Sequence, residues 1–424
     1  MKKSSILLLI FFLFISCTPS ETEQAERVST PEDLGFDIEK LAELDHLFET
    51  EIEEGRIAGA AALIKRHGEI ALKDAWGWQD IEEEQLLEPD HLFRIASMTK
   101  AITSAAILQL YERGDLDLDD PLENYIPEFA DPRVLTEFEE ETEEFETRPA
   151  ARSITIHDLL THTSGIAYGF NNETFGILYE NAGIPDLGTE SDLTIEEAMA
   201  ALGELPLAHD PGEEYTYGLN TDVLGRVIEV VSGQTLAEYF EEHIFRPLGM
   251  QNTGFYLPGR EDDLVTLYTT VEDELLPAPS NEDQIITPNF PVQGAMSYYS
   301  GGAGLTSTVY DYSRFLQALL NGGELNGNRI LEEETWKLMS THQIDELRLG
   351  DNKFGYGLHI TTPEGADEGK RPPGSLSWGG IFQTTYWIDP VNEMTLVMYT
   401  QVYPSPTQAE FYDRFERIIY SSIN

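Results

Sequence analysis

The chain has 424 residues, 41% of them apolar, enough to bury a large core and to hold more than one subdomain. Its 77 acidic against 26 basic residues give a net charge of −51, which excludes the clustered Lys and Arg that binding to a phosphate backbone needs. The acids recur between apolar periodic segments rather than in one tail, so they read as a solvated acidic surface adapted to high salt and not as disorder.

In chain order, Lys2 and Lys3 precede an unbroken apolar run over 6–15, followed by Ser16 and Cys17. A basic start, a short apolar stretch and a small residue before the cut are the marks of an export signal over 1–17. As a helix the run would rise only about 15 Å, half a hydrocarbon core, so it does not span a bilayer. Cys17 is the single cysteine, and an intrachain disulfide is therefore impossible. The segment resembles a bacterial lipobox, with Phe14 where Leu is usual. That resemblance implies cleavage, a lipid on Cys17, and a protein held by the membrane in the cell envelope, in the periplasm or at the outer surface. Residues 18–35 are polar and read as a tether.

Asp37 is placed to cap a helix from 38 to about 54, with Leu41, Leu44 and Phe48 on one face. Two β-like runs, 57–65 and 69–78, flank Arg66, His67 and Gly68 and predict a hairpin. After Ser97 the chain turns helical through Tyr111 and stops at Gly114. The acidic insertion 135–147 reads as a solvated loop. Helices are predicted over 155–161, 194–202, 221–232, 235–242 and 309–320. Aromatic and β-branched runs over 354–361, 374–388 and 393–401 predict strands, and 407–422 a closing helix. The expected fold class is α/β in the α+β sense. One sheet is assembled from both ends of a domain over 36–424 (about 36–95 and 345–424), with a mostly helical middle over about 96–344.

Acyl transfer by a serine needs a nucleophile beside a group that takes its proton. In HLFRIASMTKAITSAAILQLYERG, Ser97 and Lys100 lie three apart at a helix start, which puts both on one face. The helix N-terminus adds partial positive charge there. A Ser-x-x-Lys pair alone is a weak signal, since a capping serine followed by a surface lysine gives the same string. His157 and His162, about 140° apart around a helix, do not share a face as metal ligands would. They read as structural, with Thr155 and Asp158 forming a capping-box-like start. His209 reads as a surface residue. No Gly-x-Ser-x-Gly elbow, His-Glu-x-x-His or P-loop occurs, and no metal site is expected.

Further segments add to the pair: ITIHDLLTHTSGI, PGEEYTYGLNTDVLGRVIEVVSG, GGAGLTSTVYDYSRFLQALLNGG and SWGGIFQTTYWIDP, in that order. With them the chain resembles the serine β-lactamase and penicillin-binding-protein superfamily, the class C β-lactamases and related esterases in particular. The resemblance covers roughly residues 36–424 and implies an antiparallel sheet flanked by helices. By position it implies Tyr217 as a proton relay beside Ser97 and Lys100, and the backbone N–H groups of Ser97 and Ile381 as an oxyanion hole. Two departures stand out. Leu219 occupies the Asn position of the usual Tyr-x-Asn, with Asn220 next. Trp378, Gly379 and Gly380 replace the usual Lys-Thr-Gly, removing a cation and a hydroxyl that a substrate carboxylate would want. These five residues are the expected substrate contacts, and they resemble the esterase branch. The expectation is a small-molecule ester or amide substrate, an acyl-enzyme on Ser97, no metal or organic cofactor and no nucleic acid. The alternatives are a β-lactamase or D-Ala carboxypeptidase acting on cell-wall peptides, and a non-catalytic penicillin-binding-like envelope protein.

Overall fold

A computed structural model describes residues 26–424 apart from 257, 280–287, 345, 346, 348 and 349. The segment 1–17 expected to be an export signal, Cys17 included, lies outside the described residues. An eight-stranded antiparallel sheet runs in the order Lys353–Phe354, His359–Ile360, Leu376–Gly380, Thr384–Asp389, Met394–Tyr399, Gly59–Arg66, Glu69–Asp80 and Gln85–Leu86. The two chain ends meet at its centre, where Leu63 pairs with Val397 and Ala61 with Tyr399. The hairpin turn is built from His67 and Gly68, both at positive φ, the conformation that matches the twist of two paired strands.

Alternation sends successive side chains to opposite faces. Ala60, Ala62, Ile64, Leu396 and Met398 pack under the helices Glu43–Glu53 and Gln408–Ser422, against Leu44, Phe48, Phe411 and Phe415. Ala61, Leu63, Val397 and Tyr399 face the other way, into the larger core shared with the helical region. Asp37 caps the first helix by accepting from Glu39 N and Lys40 N, and the helix breaks after Leu41 before resuming at Glu43.

Three sequence expectations need correction. The insertion 135–147 is a hairpin, Arg133–Glu139 with Glu144–Pro149, because Val134 bridges Leu207 and Phe138 pairs with Phe145 across the strands. The tether over 18–35 is docked from residue 26 onward: Val28 bridges Ile70, and Glu26 meets the buried Lys65 at 2.6 Å. The helix Val309–Leu320, assigned to the helical middle, packs directly on the sheet. The helices Glu173–Ala182 and Glu333–Met339 and the small hairpin Tyr268–Val271 with Glu274–Pro277 went unpredicted.

Candidate active site

Ser97 sits in a tight turn, Ala96–Met98, that leads into the helix Thr99–Arg113. Ala96 holds φ +43°, a left-handed conformation that is strained for a residue with a Cβ and is concentrated at functional sites. The turn is pinned from several sides: Tyr312 OH donates to Met98 O, Leu305 N to Thr99 Oγ1, and Thr103 Oγ1 to Gly301 O. The helix is buried without a break from Thr99 to Leu110, which fixes the position of Lys100.

Lys100, 1% exposed, has three hydrogen-bond partners: Ser97 Oγ at 3.2 Å, Tyr168 OH at 2.9 Å and the Gly302 carbonyl at 2.8 Å. Two of these partners are hydroxyls, which can donate or accept, so the shell fits an ammonium with its three protons and equally a neutral amine that accepts from Ser97. Tyr217 meets Lys100 differently, presenting its ring face 4.7 Å from Nζ. The sequence reading thus named one tyrosine of two. Tyr168 lies just past the ITIHDLLTHTSGI segment, with no spacing rule to mark it. Deep burial, then the charge of Asp222, pushes the Tyr168 phenol well above its ordinary range, so it stays protonated.

Tyr217 leans on Trp378, ring centroids 5.5 Å apart, with a long 3.4 Å contact from indole Nε1 to the phenol oxygen. His162, Tyr168 and Tyr217 pack ring to ring, and Phe354 closes on both Trp378 and His162. Burial and then Lys100 hold the His162 imidazole well below its usual range, so it is neutral. Around Lys100 the packing is therefore aromatic and, the lysine apart, uncharged.

Leu219 and Asn220 do not take the places expected of substrate contacts. Leu219 is fully buried. Asn220 is spent internally: its carbonyl accepts from Ser164 Oγ at 2.5 Å, and its amide donates to His162 Nδ1 and Ile166 O. It holds the 162–166 turn rather than reaching inward. Gly218 allows that packing, since a Cβ there would lie 2.2 Å from Ile166 O. His209 is buried, with one ring nitrogen paired to Asp210 O and the other to Thr216 Oγ1, and so it is not a surface residue. His157 pairs with Tyr356 OH.

The strand Leu376–Gly380 brings Trp378, Gly379 and Gly380 alongside the Ser97 turn. A Cβ on Gly380 would lie 2.4 Å from Ile95 O, so only glycine permits this approach. Ile381 follows directly, and its N–H and that of Ser97 come from the two elements that touch there. Among the described residues, no group of three or more His, Cys, Asp or Glu is arranged to hold a metal ion.

The family described as Beta-lactamase matches residues 44–420. Esterase EstB of Burkholderia gladioli is 32% identical over 375 residues, covering 85% of this chain and 90% of that protein. Lovastatin esterase of Penicillium rubens is 31% identical over 377 residues, 83% of this chain and 90% of its own. Among solved structures, EstCE1, a hydrolase with promiscuous acyltransferase activity, superposes with a TM-score of 0.74 at 26% identity, over 90% of this chain and 99% of that one.

Proposed function

The chain belongs to the β-lactamase family of serine hydrolases, and from that membership we propose that it cleaves small-molecule carboxylic esters through an acyl-enzyme on Ser97. The observation that carries this is the bonding of Lys100 to Ser97 Oγ within a fully satisfied buried shell. Ser97 Oγ attacks the ester carbonyl, and its proton passes to the Lys100–Tyr217 pair. The oxyanion that forms takes the N–H groups of Ser97 and Ile381, each such donor contributing about 3 kcal/mol to the transition state. The C–O bond breaks, the alcohol leaves with the proton, and water then releases the acid by the same steps.

Preference for esters over amides and β-lactams is supported by what the site lacks. Trp378 stands where the family resemblance would put a cation to bind a carboxylate, and the Asn220 amide is taken up by Ser164, His162 and Ile166. Two relatives that align over most of the chain are named esterases. The β-lactamase or D-Ala carboxypeptidase alternative predicts stoichiometric labelling by penicillin. The protein is further read as an exported lipoprotein of the bacterial envelope, lipid-anchored at Cys17, which acid-stable incorporation of labelled palmitate would test.

The direct test is hydrolysis of p-nitrophenyl esters by the protein without residues 1–17, beside Ser97→Ala. Turnover should fall by at least about a thousandfold in the variant. Equal activity in both proteins would remove Ser97 from the reaction.

A further inference from the structure

Asp222 lies on the helix Asn220–Ser232, five positions after Tyr217, and is fully buried. One carboxylate oxygen accepts from Ser300 Oγ at 2.6 Å and from Gly302 N at 3.2 Å. The other oxygen is buried without a hydrogen-bond partner. It lies against the Gly302 α-carbon: a Cβ there would be 2.3 Å from Oδ2 and 2.9 Å from Tyr168 OH. The same Gly302 offers its carbonyl to Lys100. Gly302 is therefore held at its N–H by Asp222 and holds Lys100 with its C=O, so one residue separates the carboxylate from the amine.

We propose that Asp222 is a positioning residue of the reacting site, acting through Gly302 to fix the carbonyl that anchors Lys100 and setting a negative charge opposite that lysine. The inference rests on the reading of Ser97 and Lys100 as the reacting pair. A purely structural role does not account for a carboxylate here. Holding Ser300 and Gly302 N–H needs one acceptor oxygen, which an amide would supply. A second, unpaired and desolvated oxygen is a penalty that only a use for the charge offsets.

Every charged or titratable group that faces Asp222 fits this arrangement. Lys100 approaches from the helix Thr99–Arg113, Tyr168 from the segment after the 162–166 turn, and Tyr298 from the loop before Gly301. Both phenols are kept protonated by burial, leaving Lys100 as the counter-charge. Desolvation raises the Asp222 carboxyl to about 6, and Lys100 opposes that rise. The folded value is thus above the unfolded value of 3.8. Ionisation opposes folding as pH rises through that window, and the charge is present above about pH 6.

The test compares wild type, Ser97→Ala, Asp222→Asn and Ser300→Ala on a p-nitrophenyl ester from pH 4.5 to 9, with melting temperatures at pH 8. Asp222→Asn should lower kcat at pH 8 by at least about tenfold and leave KM within about threefold. It should also abolish the fall of kcat below pH about 6 while melting no lower than wild type. Ser300→Ala keeps the charge, so the acid limb should remain and the loss in kcat be smaller. If Asp222→Asn keeps wild-type kcat and the same acid limb, or loses activity only together with its melting temperature, Asp222 is structural and the proposal fails. Should wild type turn over no ester, the rate of Ser97 labelling by a fluorophosphonate replaces kcat as the readout. Equal labelling of wild type and Asp222→Asn overturns the Asp222 proposal alone. No labelling of wild type overturns the Ser97 reading and the proposal with it.

Discussion

Around Lys100 the two tyrosines differ in what they offer. Tyr168 gives its hydroxyl to the amine and is kept protonated by burial, whereas Tyr217 gives its ring and has its hydroxyl towards Trp378. If Tyr217 relays the proton, Tyr217→Phe should lower kcat on an ester by about a hundredfold or more, within the span of general acid–base catalysis. Tyr168→Phe removes one of three partners of the lysine and should lower kcat by about tenfold. The reverse order, measured at pH 8 on the same ester, would make Tyr168 the relay. The Ser97–Lys100 contact was legible from their three-residue spacing, and the approach of the Trp378-Gly379-Gly380 strand from the family resemblance. Tyr168, Gly302 and Asp222 were not, since each reaches Lys100 through folding of segments far apart in the chain. The directions of Leu219 and Asn220 were equally hidden, being set by the bonds Asn220 makes to Ser164 and His162.

At the level of elements, the sequence reading succeeded where a single periodicity ran the length of a segment. The helix Val309–Leu320 has the predicted bounds, and Thr155 and Asp158 form the expected capping box, reinforced by a bidentate contact from Arg152 to Asp158. It failed at the acidic hairpin, where the few apolar residues, Val134, Leu135, Phe138 and Phe145, keep no period of two across a register shift after Leu135 and are surrounded by charge. The base of that hairpin is tied to the body by Arg148, which pairs with both oxygens of Asp210. Its tip is exposed, and Glu143 there accepts a hydrogen bond from Asn181. Replacing residues 139–144 with a two-residue Asn-Gly turn should therefore leave kcat within about twofold of wild type and shift the melting temperature by only a few degrees. A larger loss of activity would mean that the tip reaches the site.

Over the whole molecule, the acids leave most of the surface with one sign. The cations are used sparingly and mostly in pairs: Arg56 and Arg414 share Glu51, and Lys370 and Arg417 share Asp413. Exposed pairs such as Arg417 with Asp413 contribute little each, so self-repulsion over the surface should dominate the response to ionic strength. Melting temperature and ester turnover should rise together as sodium chloride is raised from about 0.1 M towards molar levels, as the screening length drops from about 10 Å to 3 Å. A protein most stable at low ionic strength would refute the reading of an acidic surface adapted to salt.

The pairing of the first long strand with the last has a consequence in time. His67 bonds Glu393 across 326 positions, and the sheet centre is a seam between the beginning and the end of the message. During synthesis the ribosome delivers one half of that seam long before the other exists. Until the final strands emerge, the Gly59–Arg66 strand carries an unpaired edge and the two cores stay open. Such a chain stays incompletely folded for as long as it is being made. Its protection from aggregation in that interval then falls to the charge of the nascent chain rather than to its fold.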